Sequence, residues 1–220
     1  MDMNLCDYFP VWNKLSAHHQ SIIENTARFQ TVKAGTVIHN GSSDCTGFLA
    51  VAKGQLRAYI LSEDGREVTV YRLLDHDCCM FAASCMMSSL QFDIIIEAQK
   101  DTSLWVIPAD VYKSIMYESL ALANYTTELM GARFTEVMWL IEQIMWKSID
   151  KRLAAYLLEE SVLEDSDILR ITHEKIANHM GSAREVITRM LRYFQSEGMV
   201  SLTRGSIQLT NKDKLESLAE

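Results

Sequence analysis

Ile171-Thr172-His173-Glu174-Lys175-Ile176-Ala177-Asn178-His179-Met180-Gly181-Ser182-Ala183-Arg184-Glu185-Val186-Ile187-Thr188-Arg189-Met190-Leu191 holds two short helical patterns around a single glycine. Thr172 is placed to cap the first helix, which would bury Ile176 and Met180, with the small Ala177 where a second helix can cross closely. Gly181 stands where the turn wants a positive φ, which costs other residues roughly 1 kcal/mol or more. Ser182 and Glu185 have the S-x-x-E spacing of a capping box and would open the second helix. That helix buries Val186, Ile187, Met190, Leu191 and Phe194 and turns Arg184, Glu185, Thr188, Arg189 and Arg192 outward. Arginine can grip guanine O6 and N7, and glutamate can accept from cytosine N4, so a helix with this face suits the major groove. A plain helical hairpin with a basic surface is the alternative. The small residue, the glycine, the serine and three arginines at this spacing favour a groove reader.

Working downstream, residues 199–209 read as two short strands around Arg204-Gly205, a wing whose tip would lie near phosphates. The chain's net charge of −8 first argues against a polyanionic partner. The charge is unevenly placed, however. Residues 1–148 carry 11 basic and 17 acidic side chains, a net of −6, whereas residues 170–212 carry seven basic and three acidic, a net of +4. A basic island in an acidic chain can engage phosphates locally.

Working upstream, the acidic stretch Glu164-Asp165-Ser166-Asp167 reads as a solvated loop, and Ser148-Ile149-Asp150 can cap a helix over 151–164. The inter-domain hinge falls near Ser148. Before it, Met130, Phe134, Val137, Ile141 and Ile144 recur at spacings of 4, 3, 4 and 3, a heptad seam. A dimer-forming helix is one reading of that seam, and a helix buried lengthwise in one chain is the other. Between Phe29 and Pro108 the pattern is β-rich. Strands are expected at 37–38, 48–51, 56–61, 68–73, 94–96 and 104–107, with turns at Lys33-Ala34-Gly35, 40–44, Lys53-Gly54 and Glu63-Asp64-Gly65. Many short strands at this spacing suggest a sandwich or jelly roll. A short helix is expected over 12–28, with Leu15, Ile22, Ile23 and Ala27 as its apolar residues.

The fold class is therefore α+β: an N-terminal double-stranded β-helix or jelly roll, a long dimerisation helix and a C-terminal winged helix-turn-helix. The corresponding domains are residues 1–110, 111–147 and 148–220. Five cysteines, Cys6, Cys45, Cys78, Cys79 and Cys85, form no C-x-x-C pair and read as reduced thiols. The N-terminus has no basic region followed by an apolar run, and no apolar run approaches the roughly 18 residues of a membrane span. A cytoplasmic protein without a membrane partner is expected. No nucleophile–base constellation, H-x-H, G-x-S-x-G or Gly-rich phosphate loop is present, so the residues do not point to an enzyme.

The sequence resembles the Crp/Fnr family of bacterial transcription regulators. The resemblance rests on Lys33-x-Gly35-Thr36-x-Ile38, Gly54, Ser62-x-Asp64-Gly65-Arg66-Glu67, Arg152-Leu153-Ala154, and the helix-turn-helix followed by Glu197-Gly198. It implies a cyclic-nucleotide-binding-type β-roll, a homodimer, near-palindromic double-stranded DNA as partner, and RNA polymerase as a further contact. The family's base-reading pattern maps onto Glu185, Thr188 and Arg189, with Arg184 matching an arginine used by the cAMP-responsive branch. Thr188 stands where serine or glycine is usual. Thr172, Ser182, Arg192 and Arg204 complete the expected DNA-binding set.

In cAMP-binding relatives a Gly-Glu segment and an Arg-x-Ala segment cradle the cyclic phosphate, and here they should lie between Leu73 and Ala98. That stretch contains no Arg, Lys or Gly, so a buried phosphate would lack a counter-charge. Val137 and Met138 stand where that branch offers hydroxyls to the adenine. The clustered N-terminal cysteines of the oxygen-sensing branch are also missing, since Cys6 stands alone there. What remains is the patch His76-Asp77-Cys78-Cys79-Met80 with Cys85-Met86-Met87. It reads as a thiol redox switch through Cys78, Cys79 and Cys85, a soft-metal or haem site, or the lining of an apolar core or ligand pocket. No cofactor is identified. A cyclic-nucleotide module acting on a protein partner is the competing function.

Overall fold

The computed structural model describes residues 4–41, 46–80 and 93–220. The chain divides into two compact units, Met1–Leu61 with Val70–Val137, and Ser62–Thr69 with Met138–Glu220.

Strands β1 (Arg28–Val32), β2 (Val37–Asn40), β3 (Phe48–Lys53), β4 (Leu56–Leu61), β5 (Glu67–Leu73, whose first three residues belong to the second unit), β6 (Cys78–Cys79), β7 (Ile95–Ala98) and β8 (Thr102–Ile107) form two four-stranded sheets. Their orders, β1-β8-β3-β6 and β2-β7-β4-β5, interleave the chain as a jelly roll does. β3 explains the arrangement from its own residues. Leu49 and Val51 point into the space between the sheets, where they meet Leu56, Ala58, Leu73 and Ile96. Phe48 and Ala50 point the other way, against Phe9, Trp12, Ile23 and Tyr112. A strand buried on both faces must be a continuous apolar run, and Phe-Leu-Ala-Val-Ala is one. Phe48 stacks on Tyr112 at 4.6 Å between ring centroids, and each such buried side chain contributes about 1.5–3 kcal/mol.

Helices α1 (Ala17–Thr26), α2 (Ala109–Glu118) and α3 (Leu120–Trp146) follow the same economy. The helix expected over 12–28 is shorter than that. A 3-10 turn, Trp12–Lys14, comes first, and α1 begins only after Ser16, whose hydroxyl accepts from the His19 amide at 3.2 Å. Ser119 separates α2 from α3. Along α3, Leu122, Thr126 and Arg133 are buried, and Met130 packs against both cores of the roll. Further along, Phe134, Trp139, Ile141, Ile144 and Trp146 are exposed. β1 and β6 were not expected from the sequence.

The second unit holds α4 (Ile149–Leu163), β9 (Ile168–Leu169), α5 (His173–Met180), α6 (Arg184–Ser196), β10 (Val200–Thr203), β11 (Ser206–Leu209) and α7 (Lys212–Ala219). Leu153, Leu157, Ile176, Ile187, Leu191, Phe194, Ile207 and Leu215 make its core, each essentially excluded from solvent. Three antiparallel strands, ordered β10-β11-β9, form the wing sheet. β9 rises out of the expected acidic loop, and Asp167 beside it pairs with Lys212 and accepts from Ser161 at 3.1 Å. Among the described residues no helix is long and apolar enough to cross a membrane.

Candidate nucleic-acid interface

α5 starts because Thr172 accepts from the Lys175 amide at 3.2 Å, and it stops because Gly181 turns left-handed at φ 66°. A side chain at Gly181 would also press on Val68, whose Cγ2 lies 2.5 Å from the position a Cβ would take. Ala177 is buried beneath the crossing helix. The chain then enters α6, though not by the expected capping box. The N-cap is Ala183, whose carbonyl accepts from Val186 and Ile187, and no side chain caps the helix. Ser182 lies one residue too early to do so. Its amide is spent on closing the turn to the Ala177 carbonyl at 2.9 Å.

α6 is sharply two-sided. Ile187, Leu191 and Phe194 are fully buried, while Arg184, Glu185, Arg189 and Arg192 are exposed. None of Arg184, Arg189, Arg192 or Arg204 has an ion-pair partner among the described residues. Four guanidinium groups are thus left to meet an outside anion. Thr188 differs from its neighbours. It is half-buried, and its hydroxyl lies 2.9 Å from His173 Nδ1. Burial, with the charges of Arg184 and Arg192, holds the His173 pKa below the ordinary histidine value and favours the neutral ring. His173 was not picked out from the sequence.

The wing follows from Gly205, whose φ of 81° permits the tight turn between β10 and β11 and leaves Arg204 exposed at its tip. Thr203 and Ser206 close the turn with a 2.6 Å hydroxyl contact. Between wing and helix-turn-helix lies a cleft of about 230 Å³, lined by Thr172, His173 and Arg184 on one side and Thr203 and Ser206 on the other.

In the first unit Cys78 and Cys79 are core residues, whereas Cys6 is exposed. Cys78 faces the helix-side core and Cys79 the inter-sheet core, as adjacent strand residues must. Burial pushes the Cys78 thiol up to about 12, and its Sγ donates to the Tyr8 carbonyl at 3.6 Å. Cys79 Sγ lies 3.4 Å from the Tyr71 hydroxyl. Cys85 lies outside the described residues. Arg133, which the sequence reading also missed, enters this region from α3. Its Nη1 donates to both Glu136 carboxylate oxygens at 2.8 Å and its Nη2 to the Cys78 carbonyl at 3.1 Å, and the group stands 4.7 Å from the Tyr71 ring. Burial pulls the Arg133 pKa down, and Glu136 more than restores it, so a charged guanidinium is anchored in the roll.

Comparison with known proteins follows the same division. Residues 29–119 match the cyclic nucleotide-binding domain family and residues 151–218 the Crp-like helix-turn-helix domain family. A crystal structure of a transcriptional regulator of the Crp/Fnr family from Eubacterium rectale ATCC 33656 superposes with a TM-score of 0.96, at 59% identity, over 97% of this chain and 99% of that one. The chain belongs to the Crp/Fnr family.

As a Crp/Fnr member it has distant relatives among characterised regulators. The regulatory protein HlyX of Actinobacillus pleuropneumoniae is 23% identical over 91% of this chain and 86% of its own length. The fumarate and nitrate reduction regulatory protein of Yersinia pestis is 22% identical over 93% and 84%. These relatives are transcription regulators, not enzymes. The stretch from Leu73 to Ala98 contains no Arg, Lys or Gly. Of the two arginines buried in the described part of the roll, Arg57 stands over the Tyr59 ring opposite Glu97, and Arg133 is held by Glu136 and the Cys78 carbonyl.

Proposed function

We propose that this Crp/Fnr regulator binds double-stranded DNA as a cytoplasmic homodimer, with α6 of each protomer in successive major grooves of a near-palindromic site. In this reading residues 1–110 sense, residues 111–147 dimerise and residues 148–220 read DNA. Arg184, Glu185, Thr188 and Arg189 address base edges. Thr172, Ser182, Arg192 and Arg204 address phosphates, and RNA polymerase is a further partner. The observation that carries the reading is the two-sided α6, whose arginines are free of internal partners while the opposite face is fully buried. The apolar seam Phe134, Val137, Ile141 and Ile144 supports the dimer, with Met130 continuing it into the roll.

The signal enters through the roll, as an effector or a redox change. The buried, protonated Cys78 and its opposed neighbour Cys79 favour an effector over thiol chemistry, because a thiol raised to about 12 is a poor nucleophile near neutral pH. An effector shifts DNA affinity only to the extent that it prefers one arrangement of the dimer.

Arg189→Ala tests the assignment. Fluorescence anisotropy on a specific duplex is expected to show a loss of about 1–3 kcal/mol, with binding to random duplex nearly unchanged. Specific binding that survives the substitution would remove base reading from α6.

A further inference from the structure

The base-reading position Thr188 is already engaged inside the protein. Its Oγ1 lies 2.9 Å from Nδ1 of His173, the first residue of α5. Helical threonines elsewhere in the chain use their hydroxyls differently. Thr126, Thr127 and Thr135 each donate to the carbonyl four residues back, at 2.8 to 3.0 Å. Thr188 makes no such bond among the described residues and turns toward the imidazole instead. His173 and Arg184 line the same cleft, so the pair sits at the edge of the surface offered to DNA.

A hydroxyl has one hydrogen to give and two lone pairs. If the Thr188 proton is donated to a bare Nδ1, the oxygen faces outward as an acceptor only. If Nδ1 carries a hydrogen, the hydroxyl keeps its own proton to donate outward. The charges acting on the ring are those of Arg184 and Arg192 from α6, and the cleft it lines is also lined by Glu174 of its own helix and by the uncharged Thr203, Gly205 and Ser206 of the wing. Two cations against one exposed carboxylate favour a neutral ring. Nε2 has no protein partner among the described residues and is free to carry the hydrogen.

We propose that His173 is a positioning residue for sequence reading: its Nδ1 takes the Thr188 proton and leaves Thr188 an outward acceptor, selective for a base amino group, adenine N6 or cytosine N4. The inference rests on α6 reading bases. It adds that one half-site position is specified by a residue outside the recognition helix.

The test is selection of bound duplexes from a randomised library by the full-length wild type, His173→Phe, Thr188→Val, the double variant and Arg189→Ala. Phenylalanine keeps the ring and removes the nitrogen, and valine keeps the shape and removes the hydroxyl. The position at which Thr188→Val loses its preference identifies the base pair concerned. His173→Phe is expected to lose the same amino-base preference, about fivefold, with the double variant losing no more than either single one. Preferences at the other positions and affinity for random duplex remain, which shows that the variants are folded. An unchanged profile for His173→Phe, a uniform loss at every position, or additive losses in the double variant would overturn the proposal. So would a Thr188→Val profile identical to the wild type. Arg189→Ala separates the two claims, since a profile that survives it discards base reading by α6 itself, whatever His173→Phe does.

Discussion

At the scale of single residues, Gly181 and His173 show how local chemistry is set by neighbours. Gly181 is held at φ 66°, in the left-handed region that favours glycine, and a Cβ there would press on Val68. Gly181→Ala is expected to lower stability by about 1–2 kcal/mol, read from urea denaturation. An unchanged midpoint would mean that the turn relaxes without cost. His173 has a folded-state pKa below its ordinary value of 6.5, first because it is buried and then because of Arg184 and Arg192. The unfolded chain therefore binds more protons than the folded one in the window just below pH 6.5. Stability from the neutral ring is present above that window and is lost as pH falls through it. Between pH 7.5 and 5.5, the wild type should lose more stability than His173→Phe, and equal losses would contradict the shift. Neither His173 nor its link to Thr188 was legible in the sequence. The two stand 15 residues apart, and only the angle of the turn at Gly181 brings them together.

At the scale of elements, the apolar seam of α3 divides its duties. Met130 is packed into the roll, whereas Phe134 and Ile144 are 66% and 46% exposed, an apolar surface that wants a partner. Ile144→Asp is expected to give folded monomers by sedimentation, with the wild type dimeric. Met130→Asp should instead lower the unfolding midpoint. A wild-type monomer at micromolar concentration would contradict the dimer helix. The heptad spacing was readable, but not that its first member faces inward, because Met130 owes its burial to strands remote in sequence. Strand legibility divides on the same principle. β3 and β4 were evident from apolar runs, whereas β1, Arg-Phe-Gln-Thr-Val, is largely exposed and pairs at the sheet edge with β8. The two residues of β9 lie beside an acidic loop and are defined by pairing with β11. The expected capping box at Ser182 failed for a related reason: the Gly181 turn uses that residue's amide and starts the helix one step later.

At the scale of the whole chain, an excess of acid coexists with a basic reading face, because the net charge of −8 is an average over parts with different tasks. The output end was legible because capping, glycine, apolar spacing and arginines lie within some twenty consecutive residues. The roll was less so, because a charged group buried in it, Arg133, reaches it from a helix more than fifty residues after Cys78. In the proposed function two copies of α6 read DNA together. Selection of bound sequences from a randomised duplex library by the full-length wild type tests it most directly. The prediction is an enriched motif of two inverted half-sites whose centres lie about 34 Å, one helical turn, apart. A flat profile, or an enriched single site without its inverted partner, would contradict it.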